Sequence, residues 1–232
     1  MHTKLSDAVA ERVRRYRLRA DLTREQLAER CAALGAPDLT AAAITNIETG
    51  RRNRATGVRR REVTVDELVV LAKALGVPPI LLIYPVGEAE TCEVLPGRTM
   101  GTWAAVRWFT GEAPFASQGS SGEWFVTPDD FAAWERGAAP VDDYRRHDEL
   151  VRDFNAAAGR AGSHHKAAMV GDERERGYHL RLAERAEQER REAERALRDL
   201  RQNMRRRGVM PPAMRGALAG IDDLTTAESS EV

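Results

Sequence analysis

The sequence predicts a mainly α-helical protein built from an N-terminal five-helix head, a small tryptophan-rich and mostly helical middle region, and a long charged C-terminal helix. Three observations predict this. Apolar residues recur at helical spacing through residues 6–82, between Ser, Thr, Gly and Pro punctuation. All four tryptophans fall between Trp103 and Trp134, which marks a region of different character. Residues 172–207 hold no proline and are dominated by Glu, Arg, Ala and Leu. The corresponding boundaries are 1–87 for the head, 88–170 for the middle region, 171–210 for the long helix and 211–232 for a flexible tail.

The head begins with residues 6–20, which start at a Ser cap and place Val9, Val13, Tyr16 and Ala20 on one stripe with arginines around the rest. A second helix starts at Thr23, where Gln26 completes a capping box, and Leu27, Cys31 and Leu34 form its apolar side. Gly35, Pro37 and Asp38 break it. Thr40 is placed to cap a third helix that Gly50 ends. On a helical wheel Ala43, Ile44 and Ile47 share one side of that helix, and Ala41, Ala42, Thr45, Asn46 and Thr49 share the other. One side is core and the other is small and polar, the layout of a helix-turn-helix. Further on, Thr64 and Glu67 form a second capping box ahead of Leu68, Leu71, Ala72 and Leu75, and Pro78 opens a short last helix containing Ile80, Leu81 and Leu82.

The residues LTREQLA followed by LTAAAITNIETG resemble the Cro/phage-repressor type of helix-turn-helix, the XRE family, and the resemblance runs through VTVDELVVLAKALGVPP to about residue 85. The segment between the two helices is about six residues longer than in that pattern, so either the second of them is longer or the turn is wider. Carried over by motif position, the resemblance implies that Thr40, Ala41, Ala42, Thr45 and Asn46 face DNA, that Arg24 meets a backbone phosphate, and that Arg17 pairs with Glu48 of the IETG motif. Asn46 is suited to adenine, whereas the alanines reach only thymine methyl groups. The whole arrangement, with its Arg/Glu helix ending in RRRGVMPP, is similar to XRE-family regulators of high-GC actinobacteria.

Directly after the third helix come six arginines, Arg51, Arg52, Arg54, Arg59, Arg60 and Arg61, interrupted by Gly57. A run of charge is commonly a solvated face, but its position beside the presumed reading helix favours phosphate contacts. The overall charge is balanced, 36 basic against 36 acidic residues, yet residues 1–87 carry 15 basic against 10 acidic. The excess of five positive charges lies where nucleic acid would sit, and local rather than total charge sets the field there.

In the middle region TWAAVRWF and TPDDFAAWER read as helices, FASQGSSGEWF as a loop, and AAAGRAGSHH as a linker, while the tryptophans are expected to pack a second small core. His164 and His165 are adjacent and read as linker residues, not metal ligands. In the long helix Ala186, Ala193 and Leu200 at one heptad position and Ala183, Leu197 and Met204 at the other form a seam interrupted by Arg190. Such a seam fits either a coiled coil or a solitary helix packed on the middle region. Self-association through Leu197, Leu200 and Met204 is the expectation.

Several function classes find no support. Cys31 and Cys92 are too few for a disulfide framework or a zinc site, no window approaches a membrane span, and the charged N-terminus does not read as a signal peptide. A Gly-rich phosphate loop, GxSxG, HExxH and framed carboxylate pairs are all missing, so no enzyme, cofactor or metal is expected. The sequence points to a cytoplasmic, sequence-specific DNA-binding transcriptional regulator of repressor type, binding a two-fold site on double-stranded DNA as a homodimer. The alternative is an antitoxin-like or phage-immunity interaction module, in which the middle and C-terminal regions bind a partner protein and DNA binding is secondary.

Overall fold

The computed structural model describes residues 5–50, 61–119 and 122–222, and it divides the chain into two compact units, Met1–Thr127 and Pro128–Val232. The architecture is mainly helical, as expected. Five helices form the head: α1 (Leu5–Arg19), α2 (Arg24–Ala33), α3 (Ala41–Thr49), α4 (Val65–Leu75) and α5 (Pro79–Ile83). Their apolar stripes converge on a core around Val13, Leu27, Cys31, Ile44, Ile47, Leu71 and Leu82. The capping boxes at Thr23/Gln26 and Thr64/Glu67 both form, so each helix starts where its sequence signal lies. Buried Arg12 donates from Nη1 to the Ile83 carbonyl at 2.7 Å, satisfying the buried C-terminal end of α5.

The expected boundary at residue 87 falls inside the first unit. After α5 come an antiparallel pair, β1 (Thr91–Leu95) and β2 (Arg98–Gly101), then α6 (Thr102–Phe109) and a second small pair, β3 (Ser117–Gln118) and β4 (Trp124–Phe125). Ile83 and Tyr84 at the end of the head share a core with Met100, Ala105 and Val106. The segment FASQGSSGEWF, expected as a loop, thus contributes both strands of the second pair. The tryptophans do not make the core. Helical spacing on α6 turns Thr102, Ala105 and Val106 inward, which sends Trp103 outward at 63% exposure, and Trp124 is 45% exposed.

The second unit is a helical hairpin. α7 (Pro128–Val170) runs straight through AAAGRAGSHH, so the expected linker is helix and the expected boundary at residue 170 is its tight turn. Glycine in a helix costs about 1 kcal/mol relative to alanine, but here packing offsets it. His147, Leu150, Phe154, Ala157 and Ala161 recur at alternating intervals of three and four and lie buried. They face the seam of α8 (Glu173–Arg206), which supplies Ala183, Ala186, Ala193, Leu197 and Met204. Arg190, the interruption in that seam, lays its guanidinium over the Phe154 ring at 5.5 Å and pairs with Glu187 and Glu194. Leu197 and Met204, expected to drive self-association, are instead fully covered within the chain. His164, expected in a linker, stacks on His179 across the hairpin with Nδ1 atoms 3.2 Å apart.

Residues 211–222, expected to be flexible, form a strap across the open end of the hairpin. Leu218 and Ile221 are buried with Leu150, Phe154, Ala193 and Leu197. Arg201, only 3% exposed, organises the strap: it donates to the Pro212 carbonyl at 2.8 Å, to Asp222 at 2.6 and 2.9 Å, and to His147 Nε2 at 2.9 Å. Arg205 reaches Asp222 as well. A sequence scan sees only two prolines and a polar end here, because the anchoring Leu218 and Ile221 lie too far apart to register as an element.

Two titrating groups in this cluster make the strap acid-sensitive. Hydrogen bonding from Arg201, with help from Arg205 and against partial burial, holds the Asp222 carboxyl well below the usual range. Its contribution is therefore present above the unfolded carboxylate value of about 4 and is lost as pH falls toward the depressed folded value. Burial first, and Arg201 second, push His147 down from its ordinary value, so the folded unit holds the neutral ring and loses stability as pH falls below about 6.5. Thermal melts of the full chain should show a decline starting near that pH, steepening below about pH 4. Asp222→Asn should remove the second limb and keep the first. Leu197→Ala, measured by denaturant unfolding, should cost about 2–5 kcal/mol.

Candidate nucleic-acid interface

The site is built on α3. Thr40 caps it with extended backbone and accepts from the Ala43 N–H at 3.2 Å, and Gly50 ends it in the left-handed region at φ 58°, where a side chain would be strained. Ala43, Ile44 and Ile47 are buried, as the wheel predicts. On the opposite side Thr40, Ala42, Asn46 and Thr49 are exposed, and Ala41 and Thr45 are half-buried. The long connector is resolved in favour of a wider turn: α3 is short, and residues 34–40 form the link. Gly35 turns it at φ 88°, and Leu39 anchors it in the core at 3% exposure.

Two threonines on the outward face have already committed their protons. Thr45 Oγ1 donates to the Ala41 carbonyl at 2.8 Å, and Thr49 Oγ1 donates to the Thr45 carbonyl at 2.7 Å. Their methyl groups join those of Ala41 and Ala42. Asn46 thus carries the only carboxamide on this face.

Glu48 fixes the far end of α3. Its side chain is fully buried, and Arg17 of α1, 7% exposed, grips it with Nε to Oε1 at 2.5 Å and Nη2 to Oε2 at 2.9 Å. Arg17 Nη1 also donates to the Leu22 carbonyl at 2.7 Å, tying the α1–α2 turn into the same point. Arg24 adds a second bond to Glu48 Oε2 at 2.8 Å, which the sequence reading did not foresee. Burial alone pushes the Glu48 carboxyl up, but bonds from Arg17 and Arg24 together outweigh it and hold the group below its ordinary value. Arg24, expected on a phosphate, therefore spends its Nε within the protein, while the side chain stays about one-third exposed beside the start of α2.

Arg61, the last member of the arginine run, is engaged by Glu67 in the first turn of α4 and so is partly neutralised locally. Arg51, Arg52, Arg54, Arg59 and Arg60 lie outside the described residues. Among the described residues no group of His, Cys, Asp and Glu is arranged to hold a metal, and no helix is long and apolar enough to cross a membrane.

Residues 8–82 match the family model of a helix-turn-helix domain. The match covers most of α1, all of α2 to α4 and most of α5, and these residues are a helix-turn-helix domain, the class of fold that binds DNA. No curated protein and no solved structure matches the chain.

Removing Glu48 leaves Arg17 buried without its counter-charge. Glu48→Ala should destabilise the first unit by about 3–5 kcal/mol in chemical denaturation of the full chain. Arg24→Ala, at a more exposed position, should cost well under half as much. Equal costs for the two would show that Arg17 is not the principal partner.

Proposed function

We propose that this chain is a transcriptional regulator of the XRE type, acting as a repressor that binds a two-fold operator as a homodimer in the cytoplasm, without catalysis. The observation that carries the reading is the outward face of α3, small enough to approach base edges and held at its far end by Arg17, Arg24 and Glu48. Asn46 is the base-reading residue, bidentate to adenine N6 and N7, while the methyl groups of Ala41, Ala42 and Thr45 pack on thymine. A face with one hydrogen-bonding pair gives limited direct readout. The arginines from Arg51 to Arg60 supply the remaining affinity through phosphates, in a sequence-independent way.

A specific observation favours the interaction-module reading as second. Trp103, Phe109, Trp124 and Phe125 of the first unit are 43–63% exposed, and large exposed aromatics are characteristic of partner-binding surfaces. In that reading the chain is an antitoxin-like or phage-immunity module that binds a partner protein, and DNA binding is secondary.

Fluorescence anisotropy on operator and scrambled duplexes across a salt series separates the roles. Arg51→Ala should flatten the slope of log K against log salt by about 0.9 per contact, about 1.8 for a dimer, on both duplexes. Asn46→Ala should cost about 1–3 kcal/mol per correct half-site and leave scrambled DNA and the salt slope almost unchanged. Equal weakening on both duplexes would remove Asn46 from base reading. Failure of the wild-type protein to bind either duplex at low salt would transfer the conclusion to the interaction module.

A further inference from the structure

Thr45 stands at the centre of the outward face of α3, one turn after Ala41 and Ala42 and one turn before Thr49. A threonine hydroxyl has one proton to donate and lone pairs with which to accept. Thr45 Oγ1 gives its proton to the Ala41 carbonyl at 2.8 Å, and Thr49 Oγ1 gives its own to the Thr45 carbonyl at 2.7 Å. Toward anything outside the helix both oxygens can therefore only accept. The carbon that carries each hydroxyl also carries a methyl group, so each side chain offers an acceptor with an apolar group beside it. Ala41 and Ala42 extend the apolar part, and no Arg, Lys or Gln lies between Thr40 and Thr49.

The major-groove edges of the bases sort against this pattern. Thymine carries a C5 methyl beside O4, which is an acceptor, whereas cytosine carries the N4 donor beside a bare C5. Against Thr45, thymine matches the methyl but sets one acceptor against another. Cytosine satisfies the hydroxyl oxygen and leaves the apolar part without a partner. Adenine has a donor and no methyl, and guanine presents only acceptors. Methylation of cytosine at C5 puts a donor and a methyl side by side on one base, and that edge matches both halves of the threonine.

We infer that Thr45 makes α3 a reader of 5-methylcytosine, so that cytosine methylation of the operator tightens binding. The inference rests on the DNA-binding reading of α3 and refines it. Thymine remains the base for Ala41 and Ala42, and at the pair facing Thr45 the methylated cytosine outcompetes it. The N4–H donates to Thr45 Oγ1, and the C5 methyl packs on the methyl groups of Thr45, Ala41 and Ala42. Burial of one methyl group raises affinity about fourfold per half-site, hence about fifteenfold for a dimer engaging both. The signal to which such a regulator responds is the covalent state of its own binding site, set by a DNA cytosine methyltransferase.

The full chain is used to select duplexes from two random libraries, one synthesised with cytosine and one with 5-methylcytosine. Recovered sites are then compared by fluorescence anisotropy with cytosine, 5-methylcytosine or thymine at each pyrimidine position in turn. The expected result is a position in each half-site where 5-methylcytosine binds about fourfold more tightly than cytosine. At that position it should bind about fivefold or more tightly than thymine, which leaves the hydroxyl oxygen opposed. Thr45→Val keeps the shape and loses the acceptor, so thymine should draw level with 5-methylcytosine. Thr45→Ser keeps the acceptor and loses the methyl, so the advantage over cytosine should shrink. Thr45 lies outside the apolar core, and circular dichroism should show both variants folded. Equal affinity for cytosine and 5-methylcytosine at every position, or weaker binding of the methylated duplex, overturns the inference and leaves the DNA-binding reading standing. A methyl advantage unchanged in both variants does not come from Thr45 and overturns it equally. Recovery of no duplex from either library overturns the inference together with the reading on which it rests.

Discussion

Glu48 sits at the end of the outward-facing helix with no access to water, and both of its carboxylate oxygens are met by guanidinium groups from the α1–α2 region. A buried carboxylate is tolerable only when its charge and its lone pairs are met together. That requirement fixes the end of α3, the end of α1 and the turn carrying Leu22 relative to one another within narrow limits. The apolar core supplies most of the favourable energy of the head, but apolar contact is not directional. The ion-paired cluster specifies which rotation of α3 is the native one, and therefore which side chains point away from the core.

The second unit solves a similar problem with the signs exchanged. There the buried group is a cation, Arg201, and its partners are a strap carboxylate, a strap carbonyl and a histidine kept neutral. Leu218 and Ile221 anchor the strap by apolar contact, which is not directional, and Arg201 gives it a register along the hairpin. In both units one arginine converts adjacent segments of chain into a defined surface.

The head was legible in the sequence because its signals are local. Capping boxes, a left-handed glycine and stripes at helical spacing each act over one or two turns, and the wheel of α3 correctly separated buried from outward residues. What was not legible depended on partners distant in the chain. The seam of α7 is written in alanine, histidine and phenylalanine, so Ala157 and Ala161 resemble linker residues until α8 lies against them. Composition places the tryptophans in a core, whereas α6 packs through Ala105 and Val106. Arg24 illustrates the same limit within the candidate site, since its position in the motif points outward and its bond to Glu48 needs the folded turn.

The hairpin also distributes its cohesion unevenly along its length. Near the strap the seam is filled by Leu150, Phe154, Leu197 and Met204, while toward the turn at Gly171 it is filled by Ala157, Ala161, Ala183 and Ala186. Alanine buries far less apolar area than leucine or phenylalanine, so each turn of helix near the tip is held by a smaller share of the total. Paired helices contact mainly the turns directly opposite, and opening can therefore proceed gradually instead of all at once. Fluctuations should begin at the tip and travel toward the strap, with backbone amides near Ala168 exchanging with solvent well before those near Leu197. The far end of the hairpin is compliant and the strapped end is stiff, a gradient set by side-chain size along the seam and reinforced by the strap that Arg201 holds.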